Sequence, residues 1–90
     1  MGFRRSIIKP GVVVKHFKRE LIKDGNSMMY LYKVIDVAMD TETGEKLVIY
    51  KALYKCDGSG VFARKMNEYM SEVDHQKYPD IKQKYRFELY

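Results

Sequence analysis

The side chains with most chemistry to offer in this chain of 90 residues are two histidines, one cysteine and an arginine set between apolar neighbours. His16 stands in Lys15-His16-Phe17-Lys18, where flanking positive charge favours a neutral imidazole, fit to hydrogen-bond a ligand or pass a proton. Alternation along a strand points it away from Phe17. No carboxylate partner stands beside it, so a structural histidine fits the same residues. Arg64, between Phe62 and Met66, offers a planar donor fork to a carboxylate, phosphate or carbonyl, or pairs internally with Glu68 or Glu72.

The other candidates read as inert. Cys56 precedes Asp57-Gly58 and reads as a plain surface thiol, because a Cys-His nucleophile needs a third group to orient it. His75 follows Asp74 in a polar stretch and reads as exposed. The histidines and the cysteine are too few for a structural zinc site, which normally takes four such ligands. Gly44, Gly58 and Gly60 have turn spacing with no Gly-Lys-Ser after a strand, so they are not a phosphate loop. No metal and no cofactor is expected.

Charge is unevenly placed. The net charge is +5, and residues 1–23 hold seven basic side chains against Glu20 alone, which leaves the remainder slightly acidic. A basic N-terminal third is the footprint used by phosphate backbones or acidic partners, and equally that of a solvated, solubilising tail. Tyrosines lie along the same chain. Their flat bodies and polar tips can stack bases or pack peptide side chains, or supply the bulk of a core without tryptophan. Tyr50 reads as core, and Tyr30, Tyr32 and Tyr54 as mixed.

Short strands must position these residues. Pro10-Gly11 divides a basic leader, residues 1–11, read as mobile, from a single domain over residues 12–90. A β-branched run over 12–17 reads as the first strand, followed by a polar loop with a helical turn at 19–23 and Asp24-Gly25-Asn26-Ser27 as its turn. Two alternating runs, 32–39 and 46–54, then flank a turn in which Gly44 suits the left-handed position of a type I turn with a bulge. If Thr41 pairs with Glu45, Val37 faces Ile49, Met39 faces Leu47 and Tyr32 faces Tyr54. That register puts Leu31, Ile35, Val37, Met39, Leu47, Ile49 and Leu53 on one face, and Tyr30, Tyr32, Tyr50 and Tyr54 on the other.

Beyond the Asp57-Gly58-Ser59-Gly60 turn, residues 61–64 read as a strand. Met66, Tyr69, Met70 and Val73 have the spacing of a short amphipathic helix, or of one turn followed by a strand. Pro79 precedes an expected helical turn at 80–84, and residues 85–89 close as a last strand. Five short strands predict a mainly β fold, a small, partly open barrel, because curling a sheet removes exposed edges. A chain this short buries only about 60–65% of its unfolded surface, so its core must be used efficiently. With 46% hydrophobic and 32% charged residues the composition is ordinary for a globular domain. A lone cysteine makes no internal disulfide, no signal peptide is evident, and no apolar run approaches the roughly 20 residues that span a bilayer, so a cytoplasmic protein is expected. Oligomeric state stays open.

The residues Lys15-His16-Phe17-Lys18, the hairpin ending Leu47-Val48-Ile49-Tyr50-Lys51-Ala52-Leu53-Tyr54, the segment Val61-Phe62-Ala63-Arg64 and the closing Lys82-Gln83-Lys84-Tyr85-Arg86-Phe87-Glu88 resemble the bacterial family called domain of unknown function 1653. The resemblance spans nearly everything after Gly11. It implies a small SH3-like β-barrel, cytoplasmic, with no assigned activity. Within the family's usual motifs His16, Phe17, Lys18, Tyr32, Val34 and Arg64 match. Val14 replaces a usual Tyr, Arg19 a Gly, Lys33 an acid, Phe62 a Trp, Ala63 a Val and Lys65 a Pro, so positive charge rises at Arg19, Lys33 and Lys65.

The function expected is a non-enzymatic binding module that recognises nucleic acid or another polyanion through a basic and aromatic face. Its candidate residues are His16, Lys18, Arg19, Tyr32, Tyr54 and Arg64, with Lys15 beside them. A peptide or acidic-protein module using the same tyrosines is the alternative. A small-molecule binder or modest enzyme centred on His16 and Arg64 is the other.

Overall fold

β-Branched and aromatic residues build five antiparallel strands that hydrogen-bond into one open sheet in the order β4-β3-β2-β1-β5. The strands are β1 (Val13–His16), β2 (Leu31–Met39), β3 (Lys46–Ala52), β4 (Val61–Lys65) and β5 (Phe87–Leu89), with a single α-helical turn, α1 (Met66–Tyr69). Two 3₁₀ turns, Arg5–Ile8 and Phe17–Leu21, complete the regular structure among the described residues. The computed structural model describes residues 5–23, 27–56 and 58–90. The expected turn residues Asp24, Gly25, Asn26 and Asp57 and the first four residues of the leader lie outside these.

The β2–β3 hairpin forms where expected, with a different register. Met39 pairs with Lys46, Ala38 with Leu47 and Val37 with Val48, one step off the expected pairing. The loop is longer than a Thr41–Glu45 pair allows: Asp40 N–H donates to Glu45 O, and Gly44, at φ +74°, donates to Asp40 O. The Asp40 carboxylate, accepting from the amides of Glu42 and Thr43, fixes that shape. A bulge at Ile35 shifts the register again, so Val34 pairs with Tyr50 and Tyr32 with Ala52, not with Tyr54.

Together the two shifts amount to two residues, so Tyr32 and Tyr50 still share a face, but that face is turned inward. Tyr32, Val34, Val48, Tyr50 and Ala52 are buried, whereas Ile35 and Met39, expected on the apolar face, are 43% and 65% exposed. The tyrosine face is therefore the core face. There Tyr32 and Tyr50 meet edge to face at 5.2 Å, and Tyr69 stacks on Phe87 at 4.3 Å. Tyr50 is core, as its sequence context implied.

The boundary at Val12 is not the edge of the packed structure. Ile7, inside the expected leader, is 2% exposed within the main core, and its carbonyl accepts from the Tyr69 hydroxyl at 2.7 Å. Gly11 N–H donates to Val34 O, and Val34 N–H to Val12 O, which carries the chain from the leader along β2. The helical turn expected at 80–84 is also absent: residues 81–83 are irregular. The Glu20 carboxylate takes the amides of Lys82 and Gln83, each at 2.8 Å, and so ties this stretch to the Phe17–Leu21 turn. The buried Gln83 amide adds donations to Lys15 O and Tyr85 O.

Candidate functional site

The sheet is open, with β4 and β5 as its edge strands, and residues from both ends of the strand order line one polar cleft of about 360 Å³. Strand β1 and the 3₁₀ turn after it contribute His16, Phe17 and Lys18. Arg64 enters from β4, one sheet edge, and Arg86 from the residue before β5, the other edge. Val73, Asp74, Lys77 and Tyr78 complete the lining from the irregular stretch between α1 and β5. Of the sequence candidates, then, His16, Lys18 and Arg64 come together.

His16 pairs with Phe87 across β1–β5 and is buried. Its Nδ1 accepts the Lys18 backbone N–H at 3.1 Å and so caps the Phe17–Leu21 turn, which satisfies one of the amides that every helix start leaves open. Phe17 leaves the strand at this point, so its ring stacks on the imidazole at 4.5 Å instead of pointing to the opposite face. Burial first, then the charges of Arg86, Arg64 and Lys18, hold the His16 pKa down at about 4. At neutral pH the ring is uncharged, and because Nδ1 is an acceptor, Nε2 carries the proton and is a donor.

Arg64 lies opposite Val48, a core residue, so its side chain starts on the concave face of the sheet. Its Nε donates to the Tyr50 hydroxyl at 3.2 Å, and Nη1 lies 3.8 Å from Glu68, a loose contact with one of the two anticipated carboxylates. Arg86 Nε donates to the Ser71 hydroxyl at 3.2 Å. Lys77 lies over the Tyr78 ring at 5.5 Å. Asp74, the one carboxylate of the cleft, accepts from the amides of Gln76 and Lys77 through Oδ1 and makes the turn that carries Lys77. Among the described residues no carboxylate pairs with Lys18, Lys77 or Arg86.

The remaining candidates lie elsewhere. Arg19 donates to the carbonyls of Ser27 and Met29, both at 2.8 Å, and covers the Tyr90 ring at 5.4 Å. It shares a separate hollow with Lys15. Tyr32 is 8% exposed, and its hydroxyl meets that of half-buried Tyr54 at 2.7 Å. Burial, reinforced by this hydrogen bond, pushes the Tyr32 phenol well above its ordinary pKa. Tyr30 adopts a left-handed φ of +65°, with its ring 5.8 Å from His16 and 6.1 Å from Tyr54.

Sequence reasoning missed Asp74, Lys77 and Arg86 as cleft residues. Arg86 did carry a signal, since it lies between Tyr85 and Phe87 much as Arg64 lies among apolar neighbours. A larger hollow, about 630 Å³ beside α1, contains none of the candidates. Among the described residues no three His, Cys, Asp or Glu side chains are placed to hold a metal ion, and no helix is long and apolar enough to cross a membrane.

The sequence profile of the family described as "Protein of unknown function (DUF1653)" matches residues 13–89, a span that holds every residue of the cleft. Neither the curated proteins nor the solved structures compared include a match.

Proposed function

We propose that this chain, which belongs to the DUF1653 family of proteins of unknown function, is a non-enzymatic binding module, an SH3-like barrel whose polar cleft receives the anionic group of its ligand. One observation carries this reading: two guanidinium groups, from opposite edges of the sheet, line one cleft together with Lys18 and Lys77. Four cations against one lining carboxylate, Asp74, and a loose contact to Glu68 leave an excess of positive charge, which is unfavourable and which an anion relieves. The arginines are also held by Tyr50 and Ser71, so their donor forks are preorganised.

A basic stripe for a long polyanion draws less support, because Lys15 and Arg19 line a different hollow from Lys18 and Arg64. A peptide groove along the tyrosines also draws less, since Tyr32 and Tyr50 are buried. Proton transfer by His16 lacks a carboxylate partner, as its Nδ1 is engaged by a backbone amide.

The test is an NMR titration of the full chain with inorganic phosphate and with short single-stranded RNA and DNA at two salt concentrations. Shifts should gather on the amides of Lys18, Lys77 and Arg86 and the Nε–H of Arg64, and affinity should fall as salt rises. The double variant Arg64→Gln/Arg86→Gln, checked for folding by its melt, should bind at least about tenfold more weakly. No shifts at low salt, or shifts confined to other surfaces, would sink the proposal.

A further inference from the structure

The cleft's donors define the anion more closely. We infer that the group it takes is a phosphomonoester, the dianionic terminal phosphate of a nucleotide or of a nucleic-acid end, in preference to a phosphodiester or a carboxylate. This rests on the anion-binding reading above.

Charge is the first reason. The cleft lining sets Arg64, Arg86, Lys18 and Lys77 against Asp74, a net of +3 with His16 neutral; Asp74 is partly spent on its own turn, and counting Glu68, outside the lining but 3.8 Å from Arg64, still leaves +2. A carboxylate or a diester brings one negative charge and leaves at least half of that excess uncompensated. A phosphomonoester brings about 1.5 to 2 at neutral pH.

Donor number and direction are the second. The donors reach the cleft from β1, from β4, from the residue before β5 and from the 74–78 turn, so they approach a central group from several sides. A monoester presents three terminal oxygens, whereas a diester or a carboxylate presents two. Two guanidinium forks can each take a pair of oxygen lone pairs, and the His16 Nε2–H is a further neutral donor whose tautomer is fixed by the Lys18 amide. None of the described residues accepts a hydrogen bond from it.

Shape is the third. About 360 Å³ lies at the small end of the roughly 300–1,000 Å³ typical of ligand sites. It accommodates a head group and the sugar attached to it, whereas a diester inside a strand must have chain leaving in both directions.

Calorimetric titration of the full chain with four ligands separates the possibilities: a nucleoside 5′-monophosphate, the corresponding 3′,5′-cyclic nucleotide, and one short oligonucleotide with either a 5′-phosphate or a 5′-hydroxyl end. The monophosphate and the 5′-phosphorylated strand should bind at least about tenfold more tightly than the cyclic nucleotide and the hydroxyl-ended strand. Arg64→Lys or Arg86→Lys, which keep the charge and lose the fork, should each remove most of that preference. Equal binding of mononucleotide and phosphorylated strand would assign the site to a small molecule, and much tighter binding of the strand to a nucleic-acid end. If the cyclic and hydroxyl-ended ligands bind as well as the others, and Arg64→Gln/Arg86→Gln abolishes all of it, the phosphomonoester inference fails and the anion cleft stands. If nothing binds, or binding ignores both arginines, the two fall together.

Discussion

His16 has two roles that pull on one side chain. Its Nδ1 end starts a 3₁₀ turn and its ring packs between Phe17 and Phe87, while Nε2 is the donor that this cleft-lining residue retains. Replacement by Ala removes a cap, about 1 kcal/mol, and a buried ring, so we expect a loss of about 2–4 kcal/mol in chemical denaturation. His16→Asn keeps a side-chain acceptor and should recover part of it. The same residue imposes a pH dependence. The imidazole titrates near 6.5 in the unfolded chain and about 4 in the folded protein, where Arg86, Arg64 and Lys18 surround it, so between those values the unfolded chain holds the extra proton. The stability that neutral His16 contributes is therefore complete above about pH 6.5 and is lost as the pH falls toward 4. Melts of wild type and His16→Asn from pH 7.5 to 4 should converge as the pH drops. A gap that stays constant would mean that His16 does not titrate in this window.

At the scale of elements, the cleft depends on a stretch with no regular structure. Residues 71–86 are held by side chains that accept or donate to backbone: Glu20 to Lys82 and Gln83, Glu88 to Lys84 and Tyr85, Gln83 to Lys15 and Tyr85. Glu20→Ala leaves two amides to find water and should cost about 1–2 kcal/mol, with faster hydrogen exchange at Lys82 and Gln83 and weaker anion binding through displacement of Arg86. Unchanged exchange at those amides would contradict this. Such contacts have no period, which is why Asp74 and Lys77 were illegible while His16, Lys18 and Arg64, on or beside strands, were not; Arg86, just before β5, carried a signal that went unread. The strands themselves were legible from alternation and turn residues. Their register was not, since Asp40 lengthens the turn by capping it and the Ile35 bulge leaves no mark in hydropathy. Face assignment failed for a related reason: hydropathy ranks Ile35 and Met39 above tyrosine, but in this sheet the wide aromatic rings fill the curved interior.

The whole molecule is closed from its N-terminal side. A domain of this length has a stability of order 5–10 kcal/mol, and it cannot lose a core residue cheaply. The 3₁₀ turn Arg5–Ile8 inserts Ile7 into the core against the stacked Tyr69–Phe87 pair, and the Tyr69 hydroxyl satisfies the Ile7 carbonyl. Residues 5–11 of the segment that the charge pattern sets apart as a basic leader are thereby part of the fold, with Arg5 and Lys9 exposed and Ile7 within. Ile7→Ala should cost about 2–4 kcal/mol through the cavity it leaves. Tyr69→Phe, which keeps the ring and deletes the donor, should cost about 1–2 kcal/mol because the Ile7 carbonyl stays buried without it. Made together, the two should cost less than their sum by about 0.5–1 kcal/mol, since either change loosens the contact on which the other acts. Additive losses in urea denaturation would place Ile7 and Tyr69 in independent parts of the core. Losses under about 0.5 kcal/mol for both would return residues 5–11 to the status of a tail.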